Sequence, residues 1–151
     1  MDIIPHQKLQ SNRLLQAGVF LFLLGLLTGF AIPMLANPRM GLSSHMEGVL
    51  NGMFLIGIGL LWQRLQLSER MLSITFWLLL YGTFVNWLAI LLAAIWAAGK
   101  TLPIAGLGNV GTNWQEAVIN FMLYSLSVAM VLTCIFVLIG LGKANKTPEE
   151  I

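Results

Sequence analysis

Charge is the scarcest property of this chain. Only 9% of its 151 residues are Asp, Glu, Lys or Arg, against roughly a quarter in an ordinary soluble domain. That shortage excludes a soluble globular enzyme, and the 58% hydrophobic content is the opposite of a disorder signature. The net charge of +2 is too small and too scattered for an electrostatic grip on nucleic acid, so no polyanion partner is implied. One cysteine is present, Cys134 in an apolar run, so neither a disulfide framework nor a Cys-built zinc site can form within one chain. Histidine is almost as rare, with His6 in the polar N-tail and His45 in an apolar stretch.

What the chain has instead is long apolar runs. A transmembrane helix needs about 20 mainly apolar residues, and Leu14 to Leu35 supplies them with no charged side chain. This run is too long for the h-region of a signal peptide, and no small-residue cleavage site closes it, so it is expected to stay in the membrane. Further spans are expected over residues 41–62, 72–98 and 114–141, separated by polar links at 36–40, 63–71 and 99–113. Lipid offers no partner for free backbone amides, and these runs lack the alternation of barrel strands. The expected fold is therefore all-α, a single-domain integral membrane four-helix bundle. Lys8, Arg13, Arg64, Arg70, Lys143 and Lys146 lie on one side of that arrangement, against Arg39 and Lys100 on the other. Both termini are thus expected in the cytoplasm. Trp62 and Trp114 lie at span ends and read as interfacial belt residues, while Trp87 falls inside the third span.

Polar side chains inside such spans cost free energy unless they face the bundle and are paired, which makes each a functional candidate. His45, Glu47 and Asn51 fall on the second span, Tyr81 and Asn86 on the third, and Glu116, Asn120 and Tyr124 on the fourth. At about 100° per residue, Gly48, Gly52 and Gly59 lie within about 60° of His45, so a glycine groove runs below the imidazole. Two occupants suit it. One is a neighbouring helix, because Gly48-x-x-x-Gly52 and Gly25-x-x-x-Gly29 are small-residue packing motifs. The other is a porphyrin whose iron takes the histidine nitrogen.

Glu47 and Asn51, four residues apart, share a face turned roughly 90° or more from His45. Ser44-x-x-Glu47 also fits a capping box, but Asn37-Pro38 offers an earlier start that sets His45 two turns inside the helix. For Asn51 and Asn86 the alternative to a substrate contact is an interhelical amide bond. Glu116, Asn120 and Tyr124 step by four, with Ser127 and Cys134 near the same stripe, and are expected to face the core as a polar seam. The eight methionines read as plastic apolar filler, with Met46 and Met53 left open as members of a cofactor pocket.

The string NPRMGLSSHMEGVLNGMF over 37–54, with GLLW at 59–62 and FWLLLYGTFVNWLA at 76–89, resembles the hydroxylaminobenzene mutases, small bacterial membrane proteins, over most of residues 12–142. The element His45-x5-Asn51-Gly52-Met53, with Asn86 downstream, resembles more distantly the styrene oxide isomerases of the same superfamily. The resemblance implies a multi-pass isomerase of the bacterial inner membrane, a homotrimer with haem b at subunit interfaces. His45 becomes the iron ligand, Asn51 the polar group near the substrate, and Asn86 a support of the same pocket. The isomerases carry a tyrosine one turn after the Asn86 position, where this chain has Ile90, leaving Tyr81 or Tyr124 as hydroxyl sources.

The implied reaction rearranges an arylhydroxylamine to a 2-aminophenol by intramolecular oxygen transfer. Haem iron acts as a Lewis acid in it, and a dry pocket keeps solvent from capturing the ring. Small apolar aromatics would reach that pocket from the bilayer. Other functions stay open: an epoxide isomerase, or a non-enzymatic haem-binding anchor with a second axial ligand. A drug exporter of the small multidrug type would need a carboxylate in the first span, which has none.

Overall fold

A computed structural model describes residues 5–144, which are helical apart from the loops between helices. The helices are α1 (Pro5–Ala31), α2 (Pro38–Leu61), α3 (Glu69–Trp96), the single turn α4 (Pro103–Gly106) and α5 (Asn113–Ala144). Four of them are long and apolar enough to cross a membrane. Lys146, counted above for orientation, lies outside the described residues.

Local chemistry sets the helix ends. Asn37 caps α2, its side chain accepting the Met40 N–H at 3.1 Å, with Pro38 at the first helical position. The Asn37 amide also donates to the Ala105 carbonyl at 3.1 Å, tying α4 to the start of α2. Ser68 caps α3, and that helix stops where Ala97 turns left-handed (φ 52°).

α1 begins at Pro5 instead of near Leu14 because its polar first turns have partners. Carbonyls at a helix end keep acceptor capacity, and α1 fills it for the last turn of α2 and the link that follows. The Gln7 amide donates to the Trp62 and Leu65 carbonyls (2.7 and 3.1 Å) and the Ser11 hydroxyl to the Gly59 carbonyl (2.8 Å). Trp62 is consequently not a belt residue: it is fully buried, its indole N–H donating to Gln10 at 3.2 Å and its ring set edge-on to Phe76. Around it pack Leu14, Leu21, Leu55, Leu72 and Leu79. Buried Thr75, Thr83 and Thr133 return their hydroxyls to carbonyls four residues back, so they need no partner on another helix.

The four long helices do not close into a symmetrical bundle. α1, α2 and α3 pack on one another, whereas α5 lies against α3 and the turn after α2, and its backbone does not come close to that of α1 or α2. Met130 of α5 seats over Gly82 of α3, where a Cβ would stand 2.4 Å from its sulfur. With one helical neighbour, α5 leaves most of its circumference uncovered, which corrects the expected core-facing seam. Glu116 is buried and Asn120 half-buried, but Tyr124, Ser127 and Cys134 point outward, Tyr124 with 69% of its surface free.

Candidate functional site

Two faces of α2 carry the candidate residues. On the face toward α1, the glycine groove below His45 is filled by a helix. A Cβ on Gly48 would stand 2.5 Å from Gly25 Cα, and one on Gly52 would stand 2.6 Å from the Phe22 backbone nitrogen. Of the two occupants the sequence allowed, the structure has the helix. Gly48 and Gly52 line a backbone-to-backbone contact, and the space a porphyrin would need beside them is taken.

His45 sits at the edge of that contact. Its Nδ1 lies 2.8 Å from the Gly25 carbonyl, and Gly29 accommodates the ring, since a Cβ there would come within 3.0 Å of Nδ1. A carbonyl only accepts, so Nδ1 carries the proton and Nε2 keeps its lone pair. A metal-binding histidine usually has this arrangement, with the far ring nitrogen held by a backbone carbonyl. No three His, Cys, Asp or Glu side chains gather among the described residues. Among the described residues no group bonds Nε2, so His45 is the side chain that would hold a haem.

On the face toward α3, three polar side chains meet. Glu47 Oε2 accepts the Asn51 side-chain N–H at 3.1 Å and the Asn86 side-chain N–H at 2.6 Å, joining α2 to α3 inside the apolar zone. Ser44 donates beside them to the Trp87 carbonyl at 3.2 Å, so the capping-box role for Ser44 and Glu47 is replaced by two contacts to α3. The Trp87 indole crosses to Thr28 on α1 at 3.1 Å. Asn51 is buried, and Glu47 and Asn86 are half-buried.

Between His45 at the α1 edge and Glu47 at the α3 edge runs the outer face of α2. It carries Leu42, Met46, Leu50 and Met53, each about half exposed. Met46 and Met53 are thus on a surface and do not fill a core.

Tyr81 does not join the cluster. Its hydroxyl pairs with Ser125 of α5 at 2.7 Å on the outer side of α3. Glu116 Oε1 accepts the backbone N–H groups of Gly111 (2.8 Å) and Lys100 (3.3 Å), closing the 99–112 loop, and Asn120 accepts from Thr101. These two residues border a separate polar recess of about 410 Å³ with Lys100 and Asn113. Sequence reasoning missed the loop-closing role of Glu116. The run of Gly and Asn just before it was the available signal, since backbone amides freed by a tight loop need an acceptor.

The sequence profile of the styrene oxide isomerases matches residues 10–142. The chain belongs to the styrene oxide isomerase family. Among curated relatives of this isomerase, hydroxylaminobenzene mutase HabB of Ectopseudomonas oleovorans is 55% identical over 135 residues, which is 89% of this chain and 82% of HabB. Hydroxylaminobenzene mutase HabA of the same organism is 48% identical over 129 residues, 85% of this chain and 96% of HabA. No solved structure matches.

Proposed function

We propose that this family member is a membrane mutase that rearranges arylhydroxylamines such as hydroxylaminobenzene to 2-aminophenols. The observation that carries the reading is the carboxylate-centred cluster of Glu47, Asn51 and Asn86 at the edge of an open apolar face. It occurs in a chain 55% identical to a hydroxylaminobenzene mutase. In the reaction the N–O bond breaks, the oxygen bonds to the ortho ring carbon, and the ring proton there passes to nitrogen. Atoms and electrons balance without an oxidant.

The chain's residues divide the work. Leu42, Met46, Leu50 and Met53 receive the aromatic ring from the lipid side and keep water away from it. Without that exclusion, solvent would capture the ring at the para position. Asn51 and Asn86 hold the polar end by neutral hydrogen bonds, suited to a zone where an unpaired charge is costly. His45 offers Nε2 to haem b, with Gly25 fixing its tautomer. Haem iron, when bound, supplies a Lewis acid for an oxygen leaving group.

Around α2, His45 and the amide cluster lie about 120° to 160° apart and face different helices. This suits an assembly in which a second copy helps bring both to one substrate, and the homotrimer that the family resemblance implies is such an assembly. The open side of α5 favours the same assembly. The protein is read as multi-pass in the bacterial inner membrane with both termini cytoplasmic.

Purified protein given phenylhydroxylamine in heavy-oxygen water should form 2-aminophenol free of label, and the His45→Ala protein should lose the Soret band together with turnover. Solvent oxygen in the product overturns the intramolecular transfer. Full activity in a colourless preparation removes haem from the reading. Epoxide isomerisation is the second reading, favoured by the family's name.

A further inference from the structure

The polarity of the cluster follows from one oxygen. Glu47 Oε2 receives an N–H from both asparagines, which commits each amide nitrogen, and not its oxygen, to the carboxylate. No hydrogen bond reaches either Oδ1 among the described residues, and neither is a buried orphan there. Two carbonyl oxygens in the cluster thus keep their acceptor capacity, with no donor bonded to them among the described residues.

We propose that Glu47 is a specificity-determining positioning residue. By engaging both amide N–H groups, it makes the site read hydrogen-bond donors on its substrate. The inference rests on the mutase reading and deepens it. An arylhydroxylamine carries an N–H and an O–H, one for each free carbonyl. An aryl epoxide carries an oxygen acceptor and no donor, so it would meet two carbonyls lone pair to lone pair. A site built to accept hydrogen bonds rejects an analogue without donors strongly, because its own groups go unpaired. Without the carboxylate, either amide can rotate by 180° and present its N–H groups instead.

The test compares phenylhydroxylamine and styrene oxide in wild type, Glu47→Gln and Glu47→Leu, assayed in detergent with product identification. The ratio of the two kcat/KM values is the readout, because loss of folded protein lowers both equally and leaves the ratio unmoved. Wild type is expected to prefer phenylhydroxylamine by at least about a hundredfold. Glu47→Gln, which keeps a carbonyl acceptor at this position, should hold the ratio within about threefold. Glu47→Leu should shift it at least about tenfold toward the epoxide.

A wild-type measurement covers the case in which Glu47→Leu does not fold. N-methyl-N-phenylhydroxylamine and N-phenyl-O-methylhydroxylamine, each missing one donor, should inhibit at least about tenfold more weakly than a donor-bearing analogue of similar size. Aminophenol formation by wild type with an unshifted ratio in Glu47→Leu, or with undiminished inhibition by the methylated compounds, overturns the role of Glu47 and leaves the mutase reading standing. A wild type that isomerises styrene oxide and forms no aminophenol overturns both.

Discussion

α2 meets its two neighbours by opposite means. Toward α1 it has removed side chains: Gly48 and Gly52 let backbone approach backbone so closely that a Cβ would fall 2.5 to 2.6 Å from the facing atoms. Toward α3 it has added polar ones: Ser44, Glu47 and Asn51 reach across to Trp87 and Asn86 or support the group that does. In lipid, association gains nothing from moving apolar surface away from water, so close packing and hydrogen bonds are what remain. The comparison teaches that the first face is built for shape and the second for chemistry. An α1 contact that must be continuous cannot also admit a ligand, whereas a network centred on a single carboxylate oxygen leaves two amide carbonyls free to meet one.

Substitution can break that contrast. Gly48→Leu should have the largest effect, because four added carbons have nowhere to go but into Gly25 and the Trp87 ring. A loss of about 3 kcal/mol or more is expected, read as a lowered Tm in detergent. If it costs no more than an α3-face substitution, the shape account of the α1 face is wrong.

Asn86→Ala should cost about 1 kcal/mol in stability, because Glu47 keeps Asn51 as a donor. Turnover of phenylhydroxylamine should still fall at least about tenfold. An equal and small loss of both would reduce the cluster to interhelical glue. Ser44→Ala removes a single bond to the Trp87 carbonyl and should lower stability by about 0.6 kcal/mol, with turnover within about twofold of wild type. A tenfold loss there would place Ser44 in the chemistry and blur the division within the α3 face.

How far the molecule was legible in its sequence varies by region. The Asn37-Pro38 start of α2 could be read because an N-cap is decided by a few neighbouring residues. The polar residues of the cluster could be named because a bilayer makes every intramembrane carboxylate and amide conspicuous. Their meeting was less accessible. Glu47 and Asn51 share a helix face by spacing alone, but Asn86 lies 39 positions from Glu47 in sequence and joins them only through the register of α3 against α2.

The first turns of α1 read as a polar tail for a similar reason. Gln7, Gln10 and Ser11 are ordinary loop-forming polar residues until the carbonyls of Gly59, Trp62 and Leu65 and the Trp62 indole N–H are brought beside them. The stripe on α5 was misjudged because its periodicity is real but its neighbour is missing. Tyr124, Ser127 and Cys134 do align, on a helix whose backbone is close only to α3 among the long helices.

Composition and local chemistry by themselves determined that this chain makes long apolar helices, roughly where they begin and end apart from the start of α1, and which few polar side chains must be accounted for. Those are consequences of backbone satisfaction in lipid and of capping, both of which act over a handful of residues. Tertiary structure alone decided that α1 fills the glycine groove, that Trp62 is enclosed, that α5 stands half-open, and that Glu47 unites Asn51 with Asn86. Helical periodicity gives each side chain an angle about its own axis, but it carries no information about which helix stands at that angle.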